Sequence, residues 1–467
     1  MSRFALGDVA SATGAVLLRG DPRIVAGGVS TDTRSLRRGE LFVALSGPNF
    51  DGNRFATAAV ERGAAGLLLG NEGGAPPPVV SGLPRDIPIL LHASPRRALG
   101  DLARWHRGRL SASVIGVTGS CGKTTTKNVL VELLASRLET VGSPGSFNND
   151  VGVPHTLLGA GADTEAVVVE IGTNAPGEIA ALCDLARPTA GVVTCIGAAH
   201  LEGLRSLEGV AAEKAALPGS LPAEGFCVLN ADCPRTLEMR SRTRARVVTF
   251  SVGGKGDLDA TEVWFHGAGT TFRLAGLEVT SPLLGLHNVQ NLLAALAACR
   301  GLGIALEEVL PAVSRLRAAR GRLERIRAGR LTILDDSYNA NPDSARASVR
   351  VLSGLHGHAR RVLVLGDMLE LGDLAAEMHH GIGFEAARQG IDLLVAVGEI
   401  SRATAAGGLE GGMPVDHVVH CADTEDALRT VPGLVHDRDV VLVKGSRRMG
   451  LDRVVGRLVE FAREDAS

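Results

Sequence analysis

A glycine-rich string at residues 116–126, Gly-Val-Thr-Gly-Ser-Cys-Gly-Lys-Thr-Thr-Thr, constrains this chain more than any other feature. It follows the apolar segment Ser113 to Val117 and precedes an amphipathic run that predicts a helix beginning at Lys123. Glycines at 119 and 122 let several backbone N–H groups point into one concavity, and the helix dipole attracts an anion to the same place. The string therefore predicts a site for a nucleoside triphosphate, and a plain strand-to-helix turn is the alternative.

The loop is a variant of the common phosphate loop, because that pattern has a glycine where this chain has Val117. Lys123 is predicted to reach the terminal phosphates, and the hydroxyl of Thr124 to bind magnesium. Cys121 is either a reactive thiol or an inert small filler. The other predicted nucleotide-binding residues of the loop are Thr118, Gly119, Ser120, Gly122 and Thr125.

Length and charge narrow the class of protein. A chain of 467 residues predicts about three domains. The 49 basic and 51 acidic residues give a net charge of −2, which does not favour binding to nucleic acid or to a membrane surface. There is no apolar run long enough for a signal peptide or a spanning helix, so we expect a cytoplasmic protein without membrane insertion. We also expect a monomer. Seven scattered cysteines without a Cys-x-x-Cys pair indicate neither a disulfide framework nor a zinc site.

Short apolar segments alternate with helical stretches along the chain, which predicts doubly wound α/β domains. We expect a smaller N-terminal α/β domain (1–105), a central domain with a phosphate-loop-type doubly wound sheet (106–312) and a Rossmann-like C-terminal domain (313–467). The arginine-dense stretch 315–330 is interpreted as a solvated linker and helix face, with one or two arginines near the phosphates. The predicted strands are 41–45, 65–69, 87–91, 113–117, 166–171, 191–195, 226–230, 331–335, 361–365, 393–397 and 439–443.

Polar residues follow two of the predicted central strands. Glu170 ends one apolar run and His200 follows the next, and ligands bind at the carboxyl ends of parallel strands. Magnesium would make a buried carboxylate at 170 tolerable. The alternative for His200 is a surface residue, and for Lys214 a helix-surface lysine paired with Glu213 or Glu208.

A polar cluster at 287–291 opens an alanine-rich helical run. Asn288 and Asn291 lie three residues apart, on one helical face, where their amides suit the edge of an adenine base. Capping of the helix is a competing and compatible role for Asn288.

Taken together, these residues resemble the Mur ligases of peptidoglycan synthesis, and the shared motifs cover nearly the whole chain in order. Two strings, at 335–344 and 365–372, are most similar to the member that adds a dipeptide. The N-terminal strings at 30–34 and 47–52 resemble the domain that holds the UDP-sugar end of the substrate; the alternative for Asp32 and Asp51 is a role in turns. The other matching strings are 118–124, 146–154, 169–172, 198–203, 287–291 and 444–447.

The resemblance implies an ATP-dependent ligase that joins D-alanyl-D-alanine to a UDP-N-acetylmuramoyl-tripeptide through an acyl phosphate. It implies two magnesium ions, one bound by Thr124 and Glu170, and one by His200 and a carbamylated Lys214. The chain departs from the family after Lys214, where Ala-Ala-Leu-Pro-Gly replaces the usual Gly-Glu.

The resemblance also implies the remaining contacts, completed when the C-terminal domain closes on the nucleotide. Arg322 would contact phosphate, Asp336 the nucleotide, and Asn148 and Asn149 the reacting carboxylate. Further implied substrate contacts are Thr33, Arg34, Asn339, Asn341, Lys444 and Ser446. The alternatives are a sibling ligase that adds a single amino acid, a folylpolyglutamate-synthase-like ligase, a nucleotide switch and a catalytically silent scaffold.

Overall fold

The structure, a computed structural model, describes residues 3–47, 50–71, 74–267 and 269–464. Pro48 and Asn49 of the N-terminal string 47–52 lie outside the described residues. Three main sheets are present, and each lies within one of the three predicted segments, which confirms the α/β class with several parallel sheets. The exact segment boundaries stay predictions.

The central sheet positions the phosphate loop. Its strands run in the order Thr140–Gly142, Ala166–Glu170, Ser113–Thr118, Ala190–Val193, Phe226–Asn230, Arg246–Val252, Leu258–His266, Gly269–Leu274 and Leu277–Ser281. The first seven are parallel and the last two pair antiparallel. The continuous apolar runs predicted as strands form its middle, because helices cover both faces there.

Helices pack on both faces of this sheet. Leu286–Gly301 is the longest, and its segment from Leu292 to Cys299 is completely buried. That burial explains the continuous apolar run of this segment, since it has no solvent-facing side. The remaining helices of this part are Lys123–Ala135, Gly152–Gly159, Glu178–Ala186, Leu201–Leu204, Leu207–Lys214, Ala216–Ser220, Pro234–Glu238, Leu306–Val313 and the 3₁₀ helix Met239–Arg242.

The C-terminal sheet has six strands in the order Glu324–Ala328, Leu331–Asp336, Val440–Lys444, Arg361–Gly366, Leu393–Val397 and Val418–Cys421. All pairs are parallel except the first. The interpretation of 315–330 as a helix face is wrong, because Arg325 and Arg327 lie in the edge strand Glu324–Ala328. The surrounding helices are Pro342–Ser353, Ala375–Arg388, Arg402–Glu410, Thr424–Thr430 and Asp452–Glu464, with 3₁₀ helices Gly372–Leu374, Val415–His417, Val431–Gly433 and Arg447–Met449.

The N-terminal sheet is smaller, with the order Val16–Arg19, Ile89–His92, Gly66–Gly70, Leu41–Val43 and Val29–Ser30. Only the Val16–Arg19 pairing is antiparallel. Two-residue pairs Phe4–Ala5 with Val25–Ala26 and Ser46–Gly47 with Phe50–Asp51 flank it, together with helices Leu6–Thr13, Ala56–Glu61 and Pro95–Arg107 and 3₁₀ helices Gly52–Phe55 and Pro78–Gly82. In the ranges that the structure describes, every helix is too short or too polar to cross a lipid bilayer.

Candidate active site

A cavity of about 940 Å³ lies at the carboxyl ends of the central and C-terminal sheets. Parallel strands end there, so the loops that follow them supply its walls. Both sheets contribute to the lining, as the predicted closure of one domain on the other requires. The predicted site residues in the lining are Ser120, Cys121, Gly122, Lys123, Thr124, Thr125, Asn148, Asn149, Glu170, His200, Asn288, Asn291, Arg322, Asp336, Asn339, Asn341, Lys444 and Ser446.

The phosphate loop has the backbone that its glycines predict. Gly119 and Gly122 have φ of 146° and 81°, a left-handed region that favours glycine. Gly122 directly precedes the helix Lys123–Ala135, so the amides of its first turn face the cavity. Lys123 Nζ donates to Gly119 O at 2.7 Å and thereby lies folded over the cradle.

Hydrogen bonds to neighbouring strands hold the loop in place. Thr118 Oγ1 donates to Ile171 O at 2.9 Å from a fully buried position. Ser120 Oγ donates to Gly197 O and accepts from Gly197 N, both at 3.0 Å. Thr118 therefore anchors the loop to the residue after the neighbouring strand, while Ser120 ties it to the loop that carries His200.

Replacement of Gly122 by alanine is expected to weaken nucleotide binding. A Cβ at this position would lie 2.2 Å from Asn291 Oδ1, and the left-handed backbone adds strain of about 1–2 kcal/mol. We expect Gly122→Ala to raise the Kd for ADP by about tenfold or more in a calorimetric titration. Gly303→Ala is the matched control, since Gly303 has φ of 83° with open space around its Cβ position. Equal affinities of the two variants would show that the cradle does not depend on Gly122.

Glu170 is buried at the end of its strand, 1% exposed. Its Oε1 accepts from Asn148 Nδ2 at 2.9 Å, whereas its Oε2 is buried without a hydrogen-bond partner among the described residues. An unpartnered buried carboxylate oxygen is costly unless a cation binds it. Together with the Thr124 hydroxyl and phosphate oxygens, this oxygen fits the ligand preference of magnesium.

Lys214 ends the helix Leu207–Lys214 and is fully buried. The helix-surface alternative therefore does not hold. Its Nζ is a further buried atom that lacks a hydrogen-bond partner within the described residues. Burial, assisted by the positive charge of Lys123, lowers the pKa of Lys214 to about 7, so that a large fraction of the amine is neutral near neutral pH. A neutral amine is the form that carbon dioxide carbamylates.

His200 immediately precedes the short helix Leu201–Leu204, with a left-handed φ of 55°. Its Nδ1 lies 2.9 Å from Glu370 Oε2. Burial, and then the charge of Lys123, lower the pKa of the imidazole, which favours the neutral ring. In this form Nδ1–H donates to the carboxylate and Nε2 is left as an acceptor.

Within the described residues, no three His, Cys, Asp or Glu side chains form a group that could hold a metal ion alone. Any magnesium here would therefore take part of its coordination from Thr124, phosphate oxygens and water, as magnesium in nucleotide sites commonly does.

Arg322 connects the C-terminal part of the chain to the phosphate loop. Its Nη2 donates to Thr124 Oγ1 at 3.0 Å, and its guanidinium lies 4.3 Å from the centre of the Tyr338 ring. Lys444 Nζ, almost completely buried, donates to Asp336 Oδ2 at 2.6 Å and to Asn339 O at 3.0 Å. Asp336 and Lys444 thus form a buried pair that lines the cavity.

The side-chain amides of Asn288 and Asn291, in the 287–291 cluster, already form hydrogen bonds within the protein. Asn288 Nδ2 donates to Leu284 O at 2.8 Å, and Asn291 Nδ2 donates to Asn288 Oδ1 at 3.0 Å. Asn291 Oδ1 accepts from Thr126 Oγ1 at 3.2 Å. Asn288 is not the N-cap, because the cap position of this helix is Gly285. Contact of these amides with adenine stays a prediction.

Several of the predicted substrate contacts also have a local structural role. Asn149 Oδ1 accepts from Val151 N and Gly152 N, and Asn341 caps the helix Pro342–Ser353 by accepting from Ser344 N at 2.9 Å. Ser446 Oγ accepts from Leu369 N at 2.9 Å. The side chains lie at the cavity, but these bonds already use their main acceptors.

Thr33 and Arg34 are not among the described residues that line this cavity. Arg34 is largely exposed and pairs with Asp32 at 2.7 Å. Asp32 accepts from Arg34 N and Asp51 from Asn53 N, so the turn roles of both aspartates are observed. A role of Thr33 and Arg34 toward the sugar end of a substrate stays a prediction.

Cys121 contacts the C-terminal part of the chain as well, since its Sγ lies 3.2 Å from Asn341 Oδ1. A hydrogen bond with the Cys195 thiol lowers the pKa of Cys121. All seven cysteines are free thiols.

Sequence reasoning missed Glu370 and Lys127. Lys127 is buried, and its Nζ donates to Ser143 O at 2.7 Å and Gly145 O at 2.9 Å, which fixes the loop leading to Asn148. From sequence alone, a lysine at the fifth residue of the helix that follows a phosphate loop is interpreted as a surface residue. Glu370 belongs to the string 365–372 that resembles the family, but its partner His200 is 170 residues away along the chain.

Comparison with known proteins identifies the family. The family model described as "Mur ligase middle domain" matches residues 117–299, and "Mur ligase, glutamate ligase domain" matches residues 321–447. A curated relative from Escherichia coli, named UDP-N-acetylmuramoyl-tripeptide–D-alanyl-D-alanine ligase, is 39% identical over 92% of this chain and 93% of its own length. The chain belongs to the Mur ligase family.

Solved Mur ligases have the same fold. A crystal structure of MurF from Acinetobacter baumannii aligns with a TM-score of 0.86 and 30% identity, covering 98% of this chain and 99% of that chain. MurF of Thermotoga maritima in complex with ADP aligns with a TM-score of 0.78 and 26% identity, covering 94% and 98%. The predicted family and three-domain α/β architecture are confirmed.

Proposed function

We propose that this Mur ligase joins D-alanyl-D-alanine to a UDP-N-acetylmuramoyl-tripeptide at the expense of ATP. One observation carries the proposal: a phosphate loop, a buried carboxylate and polar side chains of a second sheet line the same cavity, and one oxygen of that carboxylate has no hydrogen-bond partner among the described residues. The name of the E. coli relative and the ADP complex of the Thermotoga protein support the choice of substrates and nucleotide.

The reaction begins when the carboxylate at the end of the tripeptide attacks the γ-phosphorus of ATP. The bond from that phosphorus to the bridging oxygen breaks, and an acyl phosphate and ADP result. The amine of D-alanyl-D-alanine then attacks the acyl carbon, loses a proton, and phosphate leaves with an oxygen of the former carboxylate. Because two anions must meet in the first step, the site has to present positive charge that is already in place.

The residues of this chain supply that charge. Lys123 and the amides of the loop hold the phosphates, and Arg322 lies next to Thr124 to contact the γ-phosphate. Bound magnesium, held by Thr124 and Glu170 and by His200 with Lys214 as a carbamate, would neutralise the phosphoryl and carboxylate oxygens. Asn148, hydrogen-bonded to Glu170, would orient the attacking carboxylate.

The other substrate contacts follow from position. Asp336 and the amides of Asn288 and Asn291 line the part of the cavity proposed for the nucleoside. Asn339, Asn341, Lys444 and Ser446 lie on the C-terminal side, where the dipeptide would enter. The N-terminal sheet, with Thr33 and Arg34, would hold the UDP-sugar end.

A sibling ligase that adds one amino acid, or a folylpolyglutamate synthase, would use the same phosphate loop. The assay that separates them measures phosphate release with ATP, magnesium and one acceptor at a time. We expect release with D-alanyl-D-alanine and a UDP-muramoyl tripeptide carrying diaminopimelate or lysine, and none with single amino acids. Release only with a single amino acid, or hydrolysis without any acceptor, would contradict the proposal.

Closure of the C-terminal part on the nucleotide is expected to complete the site and exclude water from the acyl phosphate. Arg322 and Asn341 already contact the phosphate loop across the two sheets. Small-angle X-ray scattering should therefore show compaction when an ATP analogue and the sugar-peptide are added together. An unchanged radius of gyration under saturating conditions would count against this closure.

A further inference from the structure

We propose that Glu370, from the C-terminal sheet, is a positioning residue that orients His200 of the central sheet for metal binding. The inference rests on the proposed function, in which His200 binds a divalent cation. Glu370 belongs to the C-terminal sheet, whereas the other residues of the metal site belong to the central sheet. Metal binding by His200 would therefore depend on how closely the two sheets approach each other.

Glu370 lies in the loop that follows the strand Arg361–Gly366, and this loop is held rigidly. Three successive residues before Glu370 are each fixed by a buried partner. The contacts are Asp367 Oδ1 with Ser401 N at 2.8 Å and Ser401 Oγ at 2.6 Å, Met368 N with His379 Nε2 at 2.9 Å, and Leu369 N with Ser446 Oγ at 2.9 Å. The loop is therefore a fixed support from which Glu370 extends toward the central sheet.

The two contacting residues both have strained backbones. Glu370 has φ of 65° and His200 has φ of 55°, a left-handed region that is unfavourable for residues with a Cβ. Such strain persists where the surroundings fix it, and it concentrates at functional sites. The Glu370 carbonyl also accepts from Glu202 N at 3.3 Å, so the backbone and the side chain of Glu370 both contact the segment 200–202.

The chemistry of the contact fits a metal-binding histidine. A carboxylate that accepts from one ring nitrogen fixes the tautomer and leaves the other nitrogen as a lone pair for a cation. Here Oε2 accepts from Nδ1 at 2.9 Å, so Nε2 would be the atom that binds the cation. The other cation near Glu370, Arg448, is 3.9 Å away and largely exposed, which makes it a weak partner.

A second contact brings the same segment against the C-terminal part. Asp343 Oδ2 accepts from Ala198 N at 3.1 Å, and a Cβ on Gly197 would lie 2.0 Å from that oxygen. The segment 197–202 is thus held from two sides only when the sheets lie together. Because linkage is reciprocal, a cation that binds the oriented His200 must also favour closure.

The test is a titration of Mn²⁺, followed by electron paramagnetic resonance, into enzyme that holds a non-hydrolysable ATP analogue. For the wild type we expect two bound Mn²⁺ ions. In Glu370→Ala the Kd of one ion should rise about 10–100-fold while the other is unchanged. Glu370→Gln, which keeps an acceptor oxygen, should show a smaller rise. Glu377→Gln removes the same charge from an exposed position nearby and should match the wild type.

A double-mutant cycle with His200→Ala tests whether Glu370 affects Mn²⁺ binding through His200 or through a general change in its loop. In the His200→Ala background, Glu370→Ala should change the Mn²⁺ Kd less than about twofold. Scattering gives a second readout, since Mn²⁺ should compact the wild type more than Glu370→Ala. Three results would overturn the inference. Glu370→Ala could bind Mn²⁺ as the wild type does, it could lose the same Mn²⁺ affinity in the wild-type and His200→Ala backgrounds, or the wild type could bind a single Mn²⁺. If the proposed function is wrong, the wild-type enzyme will instead form no ligated product from the tripeptide and D-alanyl-D-alanine.

Discussion

Lys214→Met is expected to lower kcat at least about a hundredfold while the protein remains folded, because it removes a proposed metal ligand. The Nζ of Lys214 is fully buried and lacks a hydrogen-bond partner in the described part of the chain, which is an expensive arrangement for an unmodified amine. A carbamate would convert this cation into an anion that faces a metal. Phosphate-release assays and thermal melts of both proteins measure the effect.

Chemical rescue separates this account from simple loss of packing. We expect short carboxylic acids such as formate or acetate to restore part of the activity of Lys214→Ala, since the cavity left by the side chain admits a carboxylate. Lys255→Ala, at an exposed position, is the control. Its activity should equal that of the wild type and should not change when the acids are added. Unimpaired turnover of Lys214→Met, or a Lys214→Ala enzyme that no acid restores, would count against a carbamate.

The pH dependence of the modification follows from the same residue. Its pKa of about 7 makes the amine increasingly neutral above that pH, and only the neutral amine adds carbon dioxide. The carbamate carbonyl signal from ¹³C-labelled bicarbonate should therefore grow as pH rises from about 6 to about 8.

Glu170→Gln is expected to reduce kcat/KM by more than about a hundredfold and to raise the magnesium concentration needed for half-maximal rate. The substitution keeps an oxygen for Asn148 but removes the charge of the buried, unpartnered Oε2. Initial rates over a magnesium titration measure both effects.

Glu165→Gln is the matched control, because Glu165 directly precedes the same strand and lies at its opposite end, where it is exposed. It should have the magnesium dependence of the wild type. If Glu170→Gln shares that dependence, Glu170 does not bind the ion.

Local patterns in the sequence were sufficient for the central strands and for the phosphate loop. Phe226–Asn230 and Leu393–Val397 have the predicted bounds, because continuous apolar runs between polar turns can only be buried strands in an alternating chain. The antiparallel strands Gly269–Leu274 and Leu277–Ser281 were not predicted, since their alternating polar residues at the sheet edge resemble a loop. Edge strands carry a weaker pattern than buried ones.

Only those site residues that belong to recognisable sequence motifs could be predicted. Glu170 ends one parallel strand and His200 lies in the loop after the neighbouring part of the sheet, and loops at the carboxyl ends of parallel strands meet at one edge, so their placement could be argued from sequence. The burial of Lys214 could not, because its helix shows no apolar face that would reveal it. The pairing of Glu370 with His200 joins two sheets, and single-sequence patterns carry no information about contacts of that range.

The central claim is that one cavity joins the tripeptide carboxylate to the dipeptide amine through an acyl phosphate. It is tested most directly with a UDP-muramoyl tripeptide that carries ¹⁸O at both oxygens of its reacting carboxylate, followed by mass spectrometry of the phosphate released. The account predicts one ¹⁸O atom in each phosphate, since the leaving oxygen comes from the carboxylate. Phosphate without label, released together with ligated product, would contradict it.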